Sequence, residues 1–331
     1  MTSAATVAPH IRDEVDVLCV GDLMLELFVS VESPSKKFVS LLDYGQAELG
    51  GSVRNVGHYL AALGRSVRAV AVVPAAYAPW CKTQLAASGL SADHLYFFGT
   101  LLDYLIVCAR GEPFKGIYLR EELPSAEYDR LVHAHKNHSG KVLAVLGSRR
   151  HSVRSLSTKL ARGGRFERVV FSPSYPLMDY SVEDVAEALG WCDVLIVNEL
   201  EQLYLSSLFP KLEEVLGVKR AARKGGIPRR PPLVVTTLAG SGARLLLDGR
   251  SWQVPAFSRS LDDVVGAGDA FTAGFIDALL DELSPMHAML RAGCASALMV
   301  DAQRMRAQIG RDDFRADRFA AARLALERLA P

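Results

Sequence analysis

Cysteine is scarce. Five occur in 331 residues, an odd number with no C-x-x-C spacing, which argues against both a disulfide scaffold and a thiolate zinc site. That usage fits a reducing compartment. No apolar run approaches the ~20 residues needed to cross a bilayer. The first dozen residues carry charges and a proline but lack the apolar core of a secretory signal. A cytoplasmic protein with no membrane partner is expected, with residues 1–11 disordered and one domain over 12–331. Charge of one sign is also lacking: 38 Lys and Arg against 37 Asp and Glu leave a net charge of +1, which gives no field to hold nucleic acid. Internal repeats, low-complexity tracts and a Ser or Cys nucleophile motif are absent. The histidines His133, His135 and His138 stand in a polar stretch before Val142 and read as a solvated helix end rather than a metal site. What remains is small-molecule chemistry.

Half of the residues are hydrophobic, enough for a large α/β core. Short apolar runs recur at Val15–Val20, Val67–Val73, Val142–Leu146, Val169–Phe171, Val194–Val197 and Leu233–Thr236, as buried parallel strands do. Segments 53–64, 79–89, 152–163, 181–190 and 211–224 can each hold a helix between them. The alternation predicts a doubly wound, mostly parallel sheet with helices on both faces. Residues 28–47 and 95–122 break the rhythm with alternating character and no companion helix. They predict extra antiparallel strands forming a small β-sheet lid.

Chemistry concentrates at strand ends and helix starts. Gly266-Ala267-Gly268-Asp269 opens a helix whose apolar positions Phe271, Phe275 and Leu279 recur every fourth residue. Small residues there let backbone N–H groups approach an anion, and the helix dipole favours it. Asp269 then reads equally as a helix cap or as a base beside an anion hole. The strand Val17–Val20 ends in Gly21-Asp22 with Glu26 just beyond, at the edge where ligands collect. Gly50-Gly51 feeds a helix carrying Arg54 and Asn55, where the glycines form either a tight turn or a surface for substrate. Asn198 and Glu201, three apart after a strand, suit either a hydrated Mg²⁺ or a capped helix start. Thr237 to Gly242 is a strand running into a glycine-rich turn containing Gly240, able to pack against nucleotide, although it matches neither a P-loop nor a full G-x-G-x-x-G.

In this order the segments resemble the ribokinase-like (PfkB-type) carbohydrate kinase family over roughly residues 16 to 300. Gly50-Gly51 to Gly64 is similar to its first signature, Asp263-Val264-Val265-Gly266-Ala267-Gly268-Asp269 to its second, and Asn198-x-x-Glu201 to its N-x-x-E motif. The resemblance implies a kinase using ATP and Mg²⁺ on a small sugar or nucleoside. Asp269 would be the base, and Gly266, Ala267 and Gly268 the anion hole. Asp22, Glu26, Gly50, Gly51, Arg54 and Asn55 would hold substrate. Asn198, Thr237, Gly240, Gly242 and Asp263 would serve the nucleotide, and Glu201 with Asn198 would organise Mg²⁺ through water. It also implies a homodimer through the lid.

Departures bear on the acceptor. Glu26 stands where the family commonly has Asp, Ala239 where a glycine is usual, and Ser172 where an Asp is usual. The stretch Asp301–Met305 lacks the Gly-Ala turn of the adenine pocket. Arg54 before Asn55 is similar to the pseudouridine-kinase branch, and Gly21–Glu26 to heptose-phosphate kinases, so nucleosides and sugar phosphates stand as alternative acceptors. A catalytically silent ligand-binding regulator of the same fold is the alternative of another class.

Overall fold

The computed structural model describes residues 15–31, 41–99, 105–107, 115–117, 122–210, 232–247, 249–258 and 266–309. Eight strands form the main sheet: β1 (Val15–Val20), β4 (Val67–Val70), β9 (Gly140–Leu146), β10 (Phe166–Ser172), β11 (Val194–Asn198), β12 (Leu233–Thr237), β13 (Ala243–Leu247) and β14 (Arg250–Val254). Their spatial order is β14-β13-β12-β11-β10-β9-β1-β4. The six from β4 to β12 are mutually parallel, and β13 and β14 continue the sheet antiparallel.

Strands buried on both faces explain the continuous apolar runs. Along β1, Val17 and Cys19 enter one core while Leu18 and Val20 enter the other. The first core is covered by α1 (Ser52–Ala62), α2 (Ala78–Ala87), α7 (Ala267–Leu280) and α8 (Pro285–Ile309). The second is covered by α3 (Ser125–His135), α4 (His151–Arg162), α5 (Val182–Trp191) and α6 (Glu199–Leu208). The fold is the doubly wound α/β architecture that the alternation predicts.

Several local expectations need correction. The run Val67–Val73 is not one strand: β4 stops at Val70, and β5 (Val72–Val73) leaves the sheet to pair in parallel with β6 (Tyr96–Phe97). The start of the 95–122 stretch is therefore parallel, held by Tyr96 N–H to Ala71 O at 2.9 Å and Phe98 N–H to Val73 O at 2.9 Å. Antiparallel pairs do occur in the two interrupting stretches, as β2 (Met24–Val31) with β3 (Leu41–Gly50) and β7 (Leu105–Val107) with β8 (Lys115–Ile117). The helix after β11 is α6, beginning at Glu199, whereas segment 211–224 lies outside the described residues. The chain after Val300 continues as helix to Ile309.

Two features set the ligand-facing edge. Order reverses about β1, which opens a crevice at the carboxyl ends of the strands. There a Cβ on Gly147 would lie 1.6 Å from the Pro173 carbonyl oxygen, so only glycine lets the ends of β9 and β10 close together. Behind the crevice, α1 packs along α7, and their far ends are joined by a buried ion network. Asp277, fully buried, accepts from Arg65 Nε at 2.6 Å and from Arg291 Nη1 at 2.8 Å. Asp281 accepts from the same two arginines, each at 2.5 Å. Removing one member leaves buried charge uncompensated. Asp277→Ala is therefore expected to cost about 3–5 kcal/mol in urea-unfolding free energy; a loss below about 1 kcal/mol would show that the network does not hold these helices.

Candidate active site

Glycine decides where both site helices begin. Gly51 takes φ 91°, and a Cβ there would stand 2.6 Å from the Asp22 carbonyl oxygen. Gly50 is buried at the end of β3, in register with Met24. Gly266 takes φ 86° ahead of α7. No side chain caps the N-terminus of α1 or of α7, so in each the first-turn N–H groups and the positive end of the dipole are left for a ligand. Gly268 has open space beside it, as a backbone anion hole requires.

The structure separates the two uses of Asp269. Gly266 is the N-cap, and Asp269 is the third residue of α7. Its carboxylate reaches instead to α1, where Asn55 Nδ2 donates to Oδ2 at 2.8 Å and the Ser52 side chain adds a second hydrogen bond. Burial pushes the Asp269 carboxyl above its ordinary value, and these two bonds pull it part of the way back.

Arg54 stands behind this contact. Its Nε donates to Ser88 Oγ at 3.1 Å and its Nη1 to Asn55 Oδ1 at 3.2 Å. Since Arg54 can only donate, it fixes the amide of Asn55 with oxygen toward itself and nitrogen toward Asp269. A chain Ser88–Arg54–Asn55–Asp269 thus aims the carboxylate.

Asp22 turns toward the segment after β9. Its Oδ1 accepts from Ser148 Oγ at 2.5 Å and its Oδ2 from the Arg149 backbone N–H at 2.9 Å. Burial raises its carboxyl; the two hydrogen bonds and the charges of Arg150 and Arg149 oppose the rise. Ser172 Oγ meets Thr272 Oγ1 at 3.3 Å, joining the end of β10 to α7. Glu26 lies on β2 in register with Glu48, and Asp263 lies outside the described residues.

Asn198 and Glu201 form a capping box on α6. Asn198 Oδ1 accepts from Glu201 N–H at 2.8 Å, and Glu201 Oε2 accepts from Asn198 N–H at 3.0 Å. Asn198 Nδ2 also donates to Glu201 Oε1 at 2.6 Å. The acidic residue is not solvated, as a plain capping role would have it, but buried. Burial raises its carboxyl to about 7, the charge of Asp269 adding to the rise and the Asn198 N–H opposing it. A buried carboxyl raised further by the charge of a neighbouring carboxylate favours a cation beside it. The donor set, two hard oxygens and an amide, suits Mg²⁺.

Beside this edge lies a cavity of about 430 Å³. Asn198, Thr237, Gly240 and Gly242 line one wall, and Ala267 and Gly268 connect it to the start of α7. Gly242 is required: φ is 90°, and a Cβ would lie 2.0 Å from the Val254 carbonyl oxygen. Ala239 takes φ 47° in the same turn, a left-handed conformation that explains why glycine is usual there. Sequence reasoning missed the opposite wall, formed by Phe257, half-exposed after β14, and by Gly293, Ser296 and Val300 of α8. Gly293 leaves room for the Phe257 ring, which a Cβ would meet at 2.8 Å. Small residues on a helix face carry no signal until that helix is known to border a cavity.

A model of the pfkB family of carbohydrate kinases matches residues 15–309. A 1-phosphofructokinase of Haloferax volcanii is 28% identical over 254 residues, 76% of this chain and 79% of that protein. The Burkholderia thailandensis nucleoside kinase in complex with inosine shares the fold at a TM-score of 0.70 and 16% identity, covering 86% of this chain and 91% of its own. The Arabidopsis thaliana ribokinase complexed with ribose and ATP does so at 0.63 and 16%, covering 87% and 93%. A match over nearly the whole described chain, on a fold shared with sugar and nucleoside kinases, places this protein in the pfkB family of carbohydrate kinases.

Proposed function

We propose that the protein transfers the γ-phosphoryl group of ATP to a hydroxyl of a small sugar or sugar derivative, with Asp269 as base and the turn from Gly266 to Gly268 as anion hole. The observation that carries this is the placement of Asp269: it sits at an uncapped helix start, spends its carboxylate on no cap, and is aimed by Asn55 from a second uncapped helix. A base and a concentration of N–H groups stand at one point, as phosphoryl transfer needs.

In the proposed reaction Asp269 removes the proton of the acceptor hydroxyl as that oxygen bonds to the γ-phosphorus, and the bond to the β-phosphate oxygen breaks to release ADP. A carboxyl raised by burial is a better base than an ordinary aspartate. The first-turn N–H groups of α7 take the charge on the transferring oxygens. Glu201 and Asn198 would hold Mg²⁺ through water; the ion would neutralise phosphate charge. The nucleotide occupies the cavity between Thr237, Gly242 and α8, with the exposed Phe257 ring as a face for the base. The acceptor lies at Gly50, Gly51 and Asn55, under the antiparallel pairs β2–β3 and β7–β8. Arg54 acts through Asn55 as a positioning residue rather than on substrate. We also propose a cytoplasmic location and a homodimer through these strands.

A sugar phosphate is the second acceptor reading. The relative at 28% identity is a phosphofructokinase, and Arg149, ion-paired with Asp179 at 3.0 Å, follows the Ser148 that meets Asp22 at the same sheet edge. A panel of sugars, sugar phosphates and nucleosides, assayed for ADP release with Mg-ATP, separates the classes.

Two outcomes are expected. Asp269→Asn should lower kcat by at least about 10² with the fold intact by circular dichroism, since the amide keeps the shape but not the basicity. Retained turnover would remove Asp269 from the chemistry. The second concerns Glu201. Its folded value of about 7 lies above the ordinary 4.5, so the folded state holds a proton that the unfolded state gives up. Its stabilising contribution is therefore full below pH 4.5 and is lost as pH rises through 7. In chelator-treated protein, wild type should lose stability relative to Glu201→Gln across that window, by on the order of 3 kcal/mol at most. Parallel stability profiles for the two proteins from thermal melts at stepped pH would contradict it.

A further inference from the structure

The end of α3 carries histidines that phosphoryl transfer does not use. His135 is buried, contrary to the solvated helix end that the sequence predicts, and its Nδ1 lies 3.1 Å from His138 Nε2. The two rings stack with centroids 5.2 Å apart. His94, from the turn before β6, meets both edge-on, at 5.0 Å from His138 and 6.5 Å from His135. Each of the three offers a ring nitrogen within 4.8 Å of the others, and no other group of three such ligands is found among the described residues. His133 stands apart, exposed, with Nδ1 3.2 Å from Lys136 Nζ.

These distances fit a metal. A zinc–nitrogen bond of about 2.0–2.1 Å at tetrahedral angles sets two ligating nitrogens roughly 3.4 Å apart, so His135 and His138 need only a small adjustment. Burial lowers His135 to about 3 and His138 to about 4, which leaves imidazole lone pairs available at neutral pH. Imidazole suits zinc, cobalt and nickel, whereas Mg²⁺ takes oxygen. Two nearby charges act in opposite senses: Arg68 on β4 disfavours a cation and Asp93 favours one.

The position indicates the role. His94 precedes β6 by two residues and His138 precedes β9 by two, so the cluster sits at the amino ends of parallel strands. The proposed active site lies at the carboxyl ends. Between His94 and His135 the chain makes its excursion through β7 and β8. We propose that His94, His135 and His138 bind a divalent cation of the zinc class as a structural fastener, closing the base of this excursion onto the sheet.

The test uses full-length protein treated with chelator, then titrated with Zn²⁺ against a chromophoric competitor in excess Mg²⁺, which occupies oxygen sites. One equivalent should bind and raise the melting temperature, and Co²⁺ in its place should give the visible spectrum of tetrahedral nitrogen ligation. Because His135 is buried, the variants of choice are the half-buried pair His94→Ala and His138→Ala. Each should weaken zinc at least about 100-fold and abolish the thermal shift, while kinase turnover and circular dichroism without zinc stay at the wild-type level. Saturable binding of equal strength in wild type and both variants overturns the proposal, as does the absence of saturable binding in wild type.

Discussion

Two helix N-termini proposed to serve one ligand can do so only while the helices behind them keep their relative position. In this kinase that constraint falls on α1 and α7, which bury Val56, Leu60, Ala273 and Phe275 in the same apolar core and are joined at their far end by ion pairs, where Asp277 and Asp281 share Arg65 and Arg291. Apolar packing alone permits small slips along the helix axes. The carboxylates receive the guanidinium groups in directional, charge-assisted bonds, which do not. The 2.8 Å contact between Asn55 and Asp269 at the near end depends on that register.

The hydrogen bonds at the site form a hierarchy. Arg54 fixes the Asn55 amide, Asn55 aims Asp269, and burial adjusts the basicity of Asp269. Asn198 and Glu201 combine the functions of cap and candidate ion site, with one carboxylate charge felt by the other. Backbone geometry supports all of this: the left-handed turns at Gly51 and Gly266 start both helices on glycine, with no Cβ beside the first-turn N–H groups proposed to meet a ligand.

The parallel core was legible because strands buried on both faces read as unbroken apolar runs, and β1, β9, β11 and β12 announce themselves in this way. The break between β4 and β5 was not, since Ala69–Val73 runs apolar across it and a strand leaving a sheet edge alters no residue type. The second helix wall of the cavity escaped for a similar reason: Gly293 and Ser296 are small for packing against a ring and for leaving space, and neither use changes the helical pattern. At the site, residue types and spacing pointed to Asp269, Asn55 and the glycine turns. They could not say that Arg54 lies behind Asn55, because a long side chain reaches either way. Nor could they bring His94 to His135, 41 positions apart along the chain.

The capping box at the start of α6 carries a consequence for how occupancy can be observed. The atoms that finish this helix are the same ones proposed to organise an ion, and a carboxylate oxygen shared with hydrated magnesium donates less electron density to an amide. Filling the site therefore trades helix-end order against coordination, and the first backbone amides of α6 become a local reporter of cation loading through their rate of hydrogen exchange.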